Sequence, residues 1–283
     1  MTAQKNGESE LDRTERREAR RRQAPSAAVV YEAIRAEAES ELARPLSALA
    51  WSGLAAGLSM GFSFIAQALL RTLTPNADWM PIISSLGYSM GFLIVILGRQ
   101  QLFTENTLTP VLEVLQRRDR ATVVSTLRLW AIVLAANMIG VTLFALVLSC
   151  GNILGTEVEP ALREIAASEY GPPFGTVFVR AIFAGWLVAL MVWLLPFAES
   201  ARVTVIILVS YTIGLAHFPH VIAGSAAALY GVFDGSHTVG AFFGEFFVPT
   251  LLGNMVGGLL MVAAINYGQV SSGSETDETD GQN

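Results

Sequence analysis

Along this chain, long uncharged apolar runs alternate with short polar stretches. The runs occupy 46–70, 80–98, 129–154, 181–198, 203–216 and roughly 246–267, and a helix needs about 20 apolar residues to cross hydrocarbon. The pattern predicts an all-α membrane protein with six transmembrane helices, two of them short or broken. Ahead of the first run, residues 31–44 alternate Ala, Ile and Leu with Glu and Arg at helical spacing. That spacing predicts a short amphipathic helix, either on the membrane surface or as a solvated linker. The last dozen residues are rich in Ser, Gly, Asp and Glu and are expected to be disordered. The chain thus divides into an N-terminal extension (1–44), a six-span domain (45–268) and an acidic tail (269–283).

Composition supports a lipid solvent: 52% of the residues are hydrophobic and 15% charged, against about 25% charged in an ordinary soluble domain. The first 45 residues are polar and carry Arg13, Arg16, Arg17, Arg20, Arg21 and Arg22, so a cleaved secretory signal is not expected. One cysteine, Cys150, permits no intramolecular disulfide, and no Cys or His cluster has zinc spacing. Neither metal nor cofactor is expected. The net charge of −6 owes much to Glu275, Asp277, Glu278 and Asp280 in the tail; no nucleic-acid partner is implied.

Basic residues near span ends mark the cytoplasmic side. The arginine-rich N-terminus and Arg117, Arg118 and Arg120 fall on one side, whereas Glu157, Glu159, Glu164 and Glu169 against one Arg163 fall on the other. Both termini are then cytoplasmic, in a multi-pass protein of the plasma or inner membrane.

A short internal repeat links the third run to the sixth. Leu134-Ala135-Ala136-Asn137-Met138-Ile139-Gly140 resembles Leu251-Leu252-Gly253-Asn254-Met255-Val256-Gly257. With the copies three spans apart, an odd offset, the two three-helix halves would be inverted relative to each other. Small-residue stripes occur at Gly53, Gly57 and Gly61, at Gly87 and Gly91, and at Gly253 and Gly257. They allow close helix approach, inside one subunit or between subunits.

Two interruptions occupy corresponding places in the halves, and such pairs point to a transport site. The first is Gly98-Arg99-Gln100-Gln101-Leu102-Phe103-Thr104-Glu105-Asn106-Thr107; the second is Ala216-His217-Phe218-Pro219-His220. An ionisable group within a span is a functional candidate, which singles out His220. The alternative is a neutral ring satisfied by a backbone carbonyl. His217 sits closer to the break, His237 reads as a loop residue, and Glu245 opens the last span beside an interface or a vestibule.

These motifs resemble the formate/nitrite transporters. The resemblance rests on Leu102-Phe103-Thr104 after a glycine-ended span, His220 followed by Ile222-Ala223, and the segment Pro249-Thr250-Leu251-Leu252-Gly253-Asn254-Met255-Val256-Gly257-Gly258. The run 99–106 and Gly185-Trp186 resemble a divergent branch that includes an uncharacterised enterobacterial inner-membrane member. The resemblance implies an aquaporin-like subunit with broken second and fifth spans, in a homopentamer with one pore per subunit. It implies that Leu102 and Phe103 line or support the cytoplasmic constriction, that Thr104 lies near the histidine, and that His220 sits at mid-membrane between two apolar slits. The chain departs from the family pattern at Gln101, where an acidic residue is usual, and at Gly185 and Gly224, where asparagines are common.

The expected function is a channel or transporter for small monovalent anions such as formate or nitrite, proton-coupled through His220. Arg99 either draws anions to the cytoplasmic mouth or snorkels at the interface. Two other readings stand beside this one: a pore for neutral small solutes, and a membrane-embedded metalloenzyme. The spacing His217-x-x-His220 lacks the i, i+4 pair and intervening Glu of zinc hydrolases.

Overall fold

In the computed structural model, which describes residues 26–151 and 153–263, the chain is helical throughout its ordered elements. The arginines of 13–22 and the acidic tail lie outside the described residues. Helix α1 (Ala27–Leu42) precedes α2 (Leu46–Leu73), which starts after Pro45. Helix α3 (Met80–Leu97) contains a 3-10 turn at Ser85–Tyr88. Ser63 on α2 repairs that turn, its hydroxyl donating to Tyr88 O at 2.6 Å and accepting from Gly91 N at 3.0 Å. A side chain that inserts into the ladder in this way permits a bend without orphaned backbone groups.

After the first interruption come α4 (Thr109–Arg117) and α5 (Arg120–Ser149), the latter capped by Asp119, whose carboxylate accepts from Thr122 N at 2.9 Å. That cap starts the third long helix at Arg120, nine residues before the apolar run begins, because hydropathy alone does not register a polar first turn. Helix α6 (Glu159–Ser168) lies in the acidic connection, and α7 (Phe174–Leu194) follows Pro173. Helices α8 (Arg202–Leu215) and α9 (Ala223–Phe233) flank the second interruption. Helix α10 (Val239–Leu260) has a π-helical stretch at Phe242–Phe247 and runs into a second, Gly257–Ala263, that closes the described chain.

Five helices are long and apolar enough to cross a membrane: α2, α3, α5, α7 with its 3-10 extension to Phe197, and α10. The expected fifth run falls on α8, of 14 residues, which is followed after the interruption by α9, of 11 residues; neither reaches the length hydrocarbon requires.

The glycine stripes are spent inside the chain. Helix α2 packs along α5 and α7 along α10. A Cβ at Gly57 would overlap the Asn137 carbonyl, and one at Gly257 would overlap the Ile182 carbonyl. Gly53, Gly61 and Gly253 likewise face α5 or α7 of the same chain. An oligomer packed through these glycine faces is therefore ruled out. Dispersion between close backbones, the main attraction available where no hydrophobic force drives helices together, is used here within the subunit.

Candidate transport site

Both interruptions end their helices in the same way. Arg99 and His217 adopt the left-handed conformation, φ 50° in each. Gln100 N then donates to Val95 O at 2.9 Å and Arg99 N to Ile96 O at 3.1 Å; Phe218 N donates to Ile213 O at 3.0 Å and His217 N to Gly214 O at 3.2 Å. This is the Schellman pattern, which satisfies the last carbonyls of a helix, formed here with non-glycine residues at the left-handed position.

The irregular backbone beyond each stop is held by an asparagine. Asn137 on α5 accepts from Phe103 N at 2.9 Å and donates to Gln101 O at 2.9 Å and Gly53 O at 2.7 Å. Asn254 on α10 accepts from Val221 N at 2.8 Å and donates to Pro219 O at 3.0 Å and Ala181 O at 2.9 Å. Both asparagines are fully buried. Non-helical backbone at membrane depth persists only where it is satisfied or lines a cavity, and these amides supply the satisfaction. The repeated heptapeptides contain both residues, so the signal was present in the sequence; their role as backbone clamps was not.

The clamped segments meet at Thr104 and His220, with Thr104 Oγ1 2.8 Å from His220 Nε2. Ala223 N donates to His220 Nδ1 at 3.1 Å, so Nδ1 is an acceptor and the neutral ring carries its proton on Nε2. Nε2–H then donates to the threonine oxygen, leaving the hydroxyl hydrogen to point elsewhere. The Phe92 ring stands edge-on to the imidazole, centroids 5.1 Å apart. Thr104, His220 and Phe92 are all buried.

Leu102 and Phe103 are buried beside this pair, with Phe103 edge-on to Trp130 at 6.3 Å. Arg99 lies outside the cluster: it is exposed and its Nη2 is 2.9 Å from Glu37 Oε1 on α1. His237 is also elsewhere, stacked on Tyr170 with centroids 3.9 Å apart. Glu245 lies within the first π-helical stretch of α10.

Helix α1 crosses the mouth of the first interruption. Glu41 accepts from Gln101 Nε2 at 2.9 Å and Thr109 Oγ1 at 3.2 Å, and Gln101 in turn accepts from Asn106 Nδ2 at 2.8 Å. Burial pushes the Glu41 carboxyl above the usual carboxylate range, and the bonds from Gln101 and Thr109 partly oppose it. A carboxyl group on another helix thus reaches Gln101. Nearby, Glu105 Oε1 is buried without a partner among the described residues.

Gly185 and Gly224 are both tightly enclosed. A side chain at Gly185 would collide with the Asn254 backbone. At Gly224 the space is taken by Phe246 and by Glu169, whose Oε2 lies 3.1 Å from where a Cβ would stand. On the face away from α1, a cavity of about 320 Å³ reaches down to His220, lined by Arg71, Glu164, Glu169, Arg180 and His217 among others. Among the described residues, no three of His, Cys, Asp and Glu come together as a metal-holding group.

Comparison with known proteins identifies the family and the fold. The family model described as formate/nitrite transporter matches residues 28–268. The chain is 39% identical over 247 residues to inner membrane protein YfdC of Escherichia coli K12, covering 87% of this chain and 80% of that protein. Among solved structures, an ion channel of the same family superposes with a TM-score of 0.72 at 19% identity, covering 84% of this chain and 97% of the other. A pentameric formate channel with formate bound superposes with a TM-score of 0.64 at 20% identity, covering 82% and 97% respectively. These are transporters and channels rather than enzymes, which sets the metalloenzyme reading aside. By sequence match over most of its length and by fold, this membrane-spanning chain belongs to the formate/nitrite transporter family.

Proposed function

We propose that the chain is a transporter or channel for small monovalent anions of the formate and nitrite type, conducting through each subunit past Thr104 and His220. The observation that carries this reading is the 2.8 Å contact between those two side chains, made where both interruptions converge. An anion entering an apolar site loses its hydration, a cost that only a donor or a proton can offset. With Nδ1 engaged by the Ala223 N–H, His220 acts through its neighbour. Its Nε2–H fixes the Thr104 oxygen as acceptor and turns the hydroxyl hydrogen toward the pore, where it hydrogen-bonds an anion oxygen. The imidazole thereby supplies the electrostatic equivalent of a proton. Leu102 and Phe103 form the apolar slit on the α1 side, and apolar constrictions hold back hydrated ions by dewetting.

We further propose six spans in two inverted three-helix halves, with α8 and α9 together forming the fifth. The support is the matched pair of Schellman stops and asparagine clamps. The assembly is a homopentamer in the plasma or inner membrane with both termini cytoplasmic, as the charge asymmetry predicts. Exposed apolar side chains such as Trp51, Leu143 and Phe183 are available to lipid or to neighbouring subunits.

Because protonating Nδ1 would break its bond to Ala223, one observation favours a second reading: the substrate crosses as the neutral acid. Uptake by proteoliposomes tests both, using formate, acetate, lactate, nitrite, hydrosulfide and chloride at two pH values, with and without a proton gradient. Uptake of the weak-acid anions but not chloride supports the anion reading; flux that follows only the concentration of neutral acid supports the second. Uptake of none of the panel overturns both.

A further inference from the structure

We propose that Glu169 governs anion entry from the face opposite α1: as a neutral acid it donates a hydrogen bond to the arriving anion, and as a carboxylate it turns the anion away. The proposal rests on the anion-transport reading above and deepens it by assigning a residue outside the two interruptions.

Glu169 immediately follows α6, and its carboxyl reaches over Gly224 at the start of α9. Gly224 N donates to His220 O at 2.9 Å, so the carboxyl stands one helical turn from the histidine. It lines the cavity whose floor is His220. Its side chain makes no hydrogen bond or ion pair among the described residues. The neighbouring acid behaves differently: Glu164 is engaged by Arg71, with Nε 2.8 Å from Oε2.

The charged and titratable groups around Glu169 are Glu164 on the same helical segment, Arg71 on α2, Tyr88 on α3, Arg180 on α7 and both His217 and His220 in the second interruption. Tyr170 adjoins it, and Glu245 on α10 lies next to Phe246, which also approaches Gly224. None of the cations is within ion-pairing distance of the carboxyl. Burial accordingly pushes the Glu169 carboxyl up to about 8. Below that pH the group is neutral and donates; above it the charge is negative and opposes an anion in a low-dielectric passage. Entry is therefore full on the acid side and is lost as pH rises through about 8. Arg180, which lines the cavity and forms no ion pair among the described residues, keeps the rim attractive to anions at either pH. His220 cannot take this part without losing its bond from Ala223 N.

The test uses the full-length oligomer reconstituted in uniform orientation, with formate as the probe and the pH changed separately on each side. Raising the pH on the α6 side from about 6.5 to about 9 is expected to lower initial uptake by about fivefold or more, while the same change on the α1 side has a smaller effect. Glu169→Gln keeps a neutral donor of the same size, so uptake should stay within about twofold of wild type at the lower pH and remain flat to the higher one. Glu169→Ala should also be flat, but lower at acid pH because the donor is gone. Native mass spectrometry of both variants checks that the oligomer is unchanged. A Glu169→Gln protein that retains the wild-type fall, or a wild-type protein insensitive to pH on that face, overturns the proposal and leaves the transport reading standing. Wild-type liposomes that take up no anion overturn both.

Discussion

Asn137 and Asn254 make the same set of hydrogen bonds in the two halves of the chain, each accepting from one backbone N–H of an interruption and donating to two carbonyls. Replacing either by leucine would leave buried backbone groups unpaired, each at about 1–3 kcal/mol. Asn137→Leu and Asn254→Leu are each expected to destabilise the protein by about 2–5 kcal/mol. The drop would be read as a lowered thermal midpoint in detergent. Unchanged midpoints would mean that other contacts hold the interrupted segments.

Thr104 should be sensitive to loss of its hydroxyl and tolerant of loss of its methyl. Thr104→Val keeps the shape but can neither accept from His220 nor donate to an anion. Anion uptake is expected to fall on the order of tenfold or more, the equivalent of about 1.4 kcal/mol or more in the barrier. Thr104→Ser should stay close to wild type. Equal uptake by the valine and serine variants would remove the threonine from the conduction path.

His220→Asn retains a side chain that can donate and accept but cannot titrate. If the histidine works only by orienting Thr104, uptake should fall while the remaining flux keeps the pH profile set elsewhere. If proton coupling runs through the ring, the pH dependence itself should vanish. His217→Asn should leave both rate and profile near wild type, and the opposite pattern for the two histidines would show that the wrong one has been assigned to the pore.

Phe103 is buried against Trp130, so Phe103→Ala removes both packing and the apolar barrier. The expected cost is about 3–5 kcal/mol of stability, together with increased leak of small solutes and weaker discrimination among them. A destabilised variant with unchanged selectivity would assign the ring to packing alone.

Arg99 separates a capping role from an electrostatic one. Its left-handed backbone favours glycine by about 1 kcal/mol, whereas its exposed pair with Glu37 is worth at most about that much. Arg99→Gly should therefore match or slightly exceed wild-type thermal stability. A fall in anion uptake by this variant at low salt, absent at high salt, would identify the side chain as an attractor of anions at the mouth.

Glu41 makes the docking of α1 depend on pH. Burial raises its carboxyl above the usual range in the folded state, so the docked arrangement is fully stabilised below the ordinary carboxylate pKa and weakens as pH rises through the raised value. Hydrogen exchange over Ala27–Leu42 should accelerate beyond its intrinsic pH dependence as the solution becomes more alkaline. Glu41→Gln should abolish that extra dependence, and a wild-type pattern in the glutamine variant would place its origin elsewhere.

Much of this architecture is written in the order of residues. Apolar run length fixes where helices can span, and the clusters at 98–107 and 216–220 break them because polar groups and Pro219 cannot continue a lipid-facing helix. Leu102-Phe103-Thr104, His220 and the repeated Asn-Met heptapeptides are legible as motifs. What the residues do to one another is not legible, because it depends on partners far apart in the chain. The Thr104–His220 contact joins residues 116 apart, and Asn137 reaches Phe103 across 34. Gly57 and Gly257 read equally well as subunit-interface or internal contacts until the folded chain brings Asn137 and Ile182 against them. Arg99 is an exposed cation in the sequence and a paired helix stop in the fold. Glu169 reads as one more acid in a solvated connection, and only tertiary packing carries it over Gly224 to the path toward His220. Hydropathy and helical period are local properties of the chain; hydrogen bonding, burial and close backbone approach are settled only when distant segments meet.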